Sequence, residues 1–199
     1  MFASNYPRKL NLIPLIYPEN NNSYKNVLFI DNSVENYQTF VDSVNSDTFP
    51  IVYSAGSSKT DLLALLKTKF TSIDRIAFVF VSSLESTKSF LDYKPFFVNG
   101  AGENLTFLIS IIKEFSIKNV DFLACETLNY PNWINYYAIL TKETGVIVGA
   151  SNDKTGNVKY GGDWVLESTH QDIELIYFTQ SIAYYSYLLD TIPVWAVTQ

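Results

Sequence analysis

One thiol and one imidazole carry most of the chemistry this sequence offers. Cys125 and His170 are the only residues of their types among the 199. A cysteine attacks a carbonyl as its thiolate, which needs a base or a positive environment to form. Cys125 follows the apolar run Val120-Asp-Phe-Leu-Ala124, but its neighbour Glu126 would raise the thiol pKa if close. The plainer reading is a small buried apolar residue, the usual state of a free cysteine. His170 is the only side chain with an ordinary pKa near neutrality. It lies in Glu167-Ser-Thr-His-Gln-Asp172, a polar stretch that reads as a solvated turn. Asp31, Asp121 and Asp153 fall near strand ends, where single carboxylates cap turns more often than they bind hard cations. No metal and no cofactor is expected.

Two glycine-bearing stretches imitate nucleotide loops. Ala55-Gly-Ser-Ser-Lys-Thr60 sits between a strand and a helix, but Tyr53 and Ser58 stand where a phosphate loop needs glycines. It reads as a capped helix start. Asn99-Gly-Ala-Gly-Glu103 lacks the third glycine of a dinucleotide turn and follows no clear strand.

The elements that would position Cys125 are legible from periodicity. Apolar runs at 27–30, 50–53, 76–81, 120–124 and 146–150 read as strands, the third apolar on both faces as a central parallel strand should be. Between them, helical spacing covers 34–44, 60–70, 105–115 and 133–144, with Asn32 and Glu35 spaced as a capping box for the first. Such alternation predicts an α/β domain, with a mostly parallel central sheet and helices on both faces. After Ala150 the expectation is short antiparallel strands at 164–167 and 173–178, then a closing helix at 182–189. The predicted organisation is an extended arm over 1–25, the domain over 26–190 and a tail over 191–199. Cys125 then stands at the carboxyl end of a strand, where open α/β sheets bind ligands.

Composition narrows the classes. With 47% hydrophobic and 16% aromatic residues the chain can fill a core, which excludes disorder over most of its length. A net charge of −6 with scattered basic residues argues against nucleic acid as the main partner. One cysteine excludes an intrachain disulfide. No apolar run reaches membrane-spanning length, and Pro14 interrupts the apolar patch 10–17, a poor signal peptide.

The stretch Thr144-Gly-Val-Ile-Val-Gly-Ala-Ser151, Asp153, Thr155-Gly156 and Gly161-Gly-Asp-Trp164 with Leu166-Glu167 resembles the signature of an uncharacterised caspase-like domain. Phe29-Ile-Asp31 and Tyr37 fit its amino end. That family is known from the N-terminal parts of large bacterial surface proteins and from some large DNA viruses. The resemblance covers about 140 residues and implies a caspase-like three-layer sandwich with a short antiparallel C-terminal addition. In the family one strand ends in Ser-His-Gly and the next core strand in Gly-Cys-Asp, a pair similar to the His/Cys dyad of caspases and gingipains. Here the motifs read Ser82-Ser83-Leu84 and Ala124-Cys125-Glu126.

Ser83 therefore occupies the histidine position. A hydroxyl is no base at neutral pH, and loss of a general base costs about 10²–10⁴ in rate. The resemblance thus implies an inactive relative, with Ser83 and Cys125 as remnant dyad positions, Glu126 adjacent, and a structural or protein-interaction role. Protein partners, self-association included, are expected, in a virion or extracellular setting. The alternative is a cysteine peptidase in which Cys125 uses a non-standard base, His170 or a residue of 82–102. A third reading is a small-molecule or carbohydrate binder with Trp164 or Tyr93 as a stacking platform.

Overall fold

The computed structural model describes residues 14–20, 22–83, 86–87, 89–98 and 102–190, the side chains of 83, 86 and 87 excepted. Five strands form one sheet: β1 (Asn26–Asp31), β2 (Thr48–Tyr53), β3 (Arg75–Val79), β8 (Asn119–Leu123) and β9 (Ile147–Gly149). Their order is β2-β1-β3-β8-β9, and every neighbouring pair is parallel. Parallel neighbours need crossovers, supplied by α1 (Gln38–Ser43), α2 (Lys59–Lys69), α3 (Gly102–Glu114) and α4 (Pro131–Thr144). Between β3 and α3 lie two small antiparallel hairpins, β4 (Ser82–Ser83) with β5 (Ser86–Thr87) and β6 (Phe90–Leu91) with β7 (Lys94–Pro95). A third small antiparallel pair, β10 (Val165–Leu166) and β11 (Gln171–Asp172), follows the sheet. The expected α/β architecture with a parallel central sheet stands.

Alternation along the strands builds two cores. Val27, Phe29, Ile76, Phe78, Val120 and Phe122 face α2, α3 and α4, where Phe78, Phe97, Phe122 and Trp133 form one aromatic cluster. Leu28, Ile30, Ala77, Val79, Leu123 and Cys125 face α1 and the C-terminal addition. Asp121 shares this second face and is fully buried. It pairs with Arg75 at 2.8 Å and accepts from the Tyr177 hydroxyl, while Arg75 also donates to Gln171 at 2.9 Å. The addition is thus tied to the sheet by a buried polar network as well as by apolar contact.

Four local expectations fail, the first three for identifiable reasons. Asn32 does not cap α1: the Asp31 carboxylate accepts from the Ser33 N–H, a turn follows, and the helix begins six residues later. Residues 173–178 form no strand. Asp172 accepts from the Glu174 N–H and α5 (Glu174–Tyr177) follows, burying Ile173, Tyr177 and Phe178 at helical spacing. Residues 182–189 form no α-helix. A 3₁₀ turn over Gln180–Tyr184 stops, and Tyr187 and Leu189 give their backbone bonds to Asn157 and Thr155. The apparent strand 76–81 also ends early, at Val79. The phosphate-loop imitation is a capped helix: Ser58 Oγ accepts from the N–H groups of Thr60 and Asp61. Of the other glycine stretch, 99–103, residues 99–101 lie outside the described ones, and Gly102 and Glu103 begin α3. Among the described residues no helix is long and apolar enough to cross a membrane.

Candidate functional site

β3 and β8 pair with Val79 opposite Leu123, so the segments that leave them start side by side. Ser82 Oγ donates to the Cys125 carbonyl at 2.6 Å. The sheet therefore brings together the two motifs that the resemblance singled out. Ser83 continues into β4, paired with Ser86; its side chain lies outside the described ones.

The thiol of Cys125 faces inward and is 2% exposed. Its Sγ accepts from the Thr155 N–H at 3.3 Å and donates to the Thr155 carbonyl at 3.6 Å. A partner set with one donor and one acceptor matches S–H, because a thiolate has nothing to donate to the carbonyl. Burial pushes the thiol pKa up to about 12; the Thr155 N–H opposes this, the charges of Asp190 and Glu126 add to it, and Lys154 opposes it. No imidazole acts on the sulfur among these groups. His170, in the left-handed region at φ 54°, is exposed at the turn between β10 and β11. The next residue, Gln171, bonds Arg75 at the amino end of β3, away from the strand ends that carry Cys125.

The strand ends are covered by the chain itself. Residues 187–190 run extended across them. Tyr187 accepts from the Asn157 N–H at 3.0 Å, Leu189 donates to Thr155 at 2.9 Å, and Leu189 accepts from the Cys125 N–H at 3.3 Å. Ser82 forms a parallel bridge with Asp190. Two glycines make room for this strap. A Cβ on Gly156 (φ 137°) would stand 2.7 Å from the Tyr187 carbonyl oxygen, and one on Gly162 would stand 2.7 Å from Leu188 Cδ2. Thr155, Gly156 and Gly162 thus form a cradle for the strap. Trp164 and Leu166 of the same signature are buried beneath the sheet, with Trp164 against Phe40, Phe178 and Tyr185.

The remaining candidates separate. Trp164 is core, so it offers no stacking platform, whereas Tyr93 is about half exposed. Asp31 sits at the carboxyl end of β1, buried, with its pKa raised by burial against hydrogen bonds from Ser33 and Ser89. Tyr53 shares Ser89 at 2.7 Å. Asp153, Asp163 and Glu167 each place one carboxylate oxygen within 4.8 Å of the others. They are 10 and 4 residues apart, so only the loop closure brings them together. Asp163 is raised by burial, opposed by its bond from the Val165 N–H, and raised further by Asp153, Glu167 and Asp172. Sequence reasoning missed Ser82, Thr155 and the strap. Thr155-Gly156 was visible in the signature; the strap was hidden because Ile182, Tyr185 and Leu189 mimic a helical face.

A family model matches residues 27–189, which takes in the site apart from Asp190 at the end of the strap. The chain belongs to the family described as Domain of unknown function (DUF4347). Within this DUF4347 domain the whole cradle, from Asp153 to Leu189, lies inside the matched region. No curated protein and no solved structure matches the chain.

Proposed function

We propose that this DUF4347 domain is a non-catalytic structural or protein-interaction module on a caspase-like frame. Its dyad positions, Ser83 and Cys125, are remnants, and its partners are proteins, further copies of itself included. The observation that carries the reading is the state of Cys125. A thiol bonded to both backbone groups of Thr155, with its pKa at about 12, is a poor nucleophile at neutral pH. The strap over the strand ends also occupies the Cys125 N–H, the Thr155 carbonyl and the Asn157 N–H, so an incoming chain could not bond them while it is in place. Fold and chemistry separate readily, and a frame whose site is filled by its own chain serves as a scaffold.

The test pairs a peptide-library cleavage assay with sedimentation. The chain and its Cys125→Ala variant should give the same cleavage background, and the chain should self-associate between micromolar and millimolar concentration. Cleavage lost in Cys125→Ala would establish the cysteine peptidase instead. A strictly monomeric chain with no self-association would remove the self-interaction part.

A further inference from the structure

A cavity of about 420 Å³ lies at the β2 edge of the sheet, between the arm residues 16–20 and 22–24 and α1 with the turn that follows it. It is independent of Cys125. Ile16, Tyr17, Tyr24, Val41, Val44 and Val52 supply its apolar lining, and asparagine, serine and threonine side chains line the rest. The backbone explains why it is open. The Tyr53 carbonyl accepts from the Asn32 N–H, toward β1, whereas Val52 exchanges both of its backbone bonds with Ile16, at 2.8 and 3.1 Å. Backbone groups alternate sides along a strand, so Pro50, like Val52, presents its carbonyl to the outer edge. Carried on by two residues, the antiparallel register of the isolated Ile16–Val52 bridge would set Pro18 opposite Pro50. Neither has an N–H, so the next rung of the ladder cannot form. Both prolines line the cavity, and among the described residues no donor reaches the Pro50 carbonyl.

An edge carbonyl without a donor, set beside that apolar lining, selects for a ligand that brings the donor. We propose that this cavity binds a small, flat aromatic molecule whose single N–H donates to the Pro50 carbonyl. The volume falls in the range of small-molecule sites, roughly 300–1,000 Å³. The apolar lining accepts the ring body, and one neutral hydrogen bond supplies the selectivity.

Indole and 1-methylindole test this, because they share a body and differ in the donor. Their affinities for the intact chain are measured by saturation-transfer NMR. Indole should bind saturably and about fivefold more tightly than 1-methylindole, the value of one neutral hydrogen bond. Pro18→Ala restores an N–H opposite Pro50, so it should weaken indole about fivefold and leave 1-methylindole unchanged. Val41→Trp should fill the cavity and abolish both, with thermal melting to show that the variant folds. Absence of saturable indole binding overturns the proposal. So does equal binding of the two probes, or an indole affinity that Pro18→Ala leaves unchanged.

Discussion

Replacing Gly156 by alanine should loosen the strap and expose the thiol beneath it. Gly156 has φ 137°, a region in which a non-glycine residue costs about 1–3 kcal/mol. Its new Cβ would also meet the Tyr187 carbonyl oxygen at 2.7 Å and Leu188 Cα at 3.0 Å, both backbone atoms with little freedom to yield. Lifting residues 187–190 relieves the clash but not the φ strain; taking about 2 kcal/mol for that overpacking, the open population should rise by about 30-fold. The assay is iodoacetamide labelling of Cys125 followed by intact-mass spectrometry. In the parent chain, a shift from the ordinary 9.0 to about 12 lowers the thiolate population about a thousandfold at any pH below 9.0. The parent should therefore label at least about a thousandfold more slowly than free cysteine near neutral pH. The variant should label about 30-fold faster than the parent if opening is fast relative to alkylation. Low urea should barely change that rate, since a local opening exposes little surface. An acceleration under about threefold, which corresponds to less than 1 kcal/mol, would refute the strap as the cover of the thiol.

Three further outcomes follow from the same geometry. Ser83→His should leave the Cys125 labelling rate and its pH profile unchanged, because the thiol remains inward and bonded to Thr155; a labelling profile with a new inflection near neutral pH would show that the dyad is still competent. Arg75→Gln should destabilise the fold by about 3–5 kcal/mol near neutral pH in urea titration, because it leaves the Asp121 carboxylate buried without its cation. Burial already raises the Asp121 pKa, against the charge and hydrogen bonds of Arg75 and Tyr177. A raised carboxyl holds its proton more tightly folded than unfolded, so its stabilising contribution is present at low pH and lost as pH rises through the folded value. Removing Arg75 raises it further, and the variant should regain stability on mild acidification; equal loss at all pH values would contradict this. Asp163→Asn keeps an acceptor for the Val165 N–H while removing one of three crowded charges. By the same sign its melting temperature should rise near neutral pH and converge with the parent at low pH; a drop near neutral pH would mean that the carboxylate is needed where it stands.

What the sequence determined by itself was the frame. Strand runs that are apolar on both faces, separated by helical spacing, leave little besides a parallel sheet, because each run must bury both faces and each return needs a crossover. The position of Cys125 at a strand end followed from the same pattern. Single aspartates carried no comparable signal, and Ser82 and Thr155 stood only as letters of motifs without a role, since a polar residue next to a strand looks alike whether it caps a turn or lines a site. The tertiary structure alone decided three things. It turned 182–189 from a helical face into a 3₁₀ turn and an extended strap, because Thr155 and Asn157 offer backbone bonds that a local helix would have used internally. It gathered Asp153, Asp163 and Glu167 around one point. It placed His170 at one end of the sheet and Cys125 at the other, and it sealed the thiol. Periodicity reports which residues must leave water. It carries no record of which distant backbone group will meet them there; Thr155 fixes the place of the Cys125 sulfur, and burial under the strap keeps it a thiol.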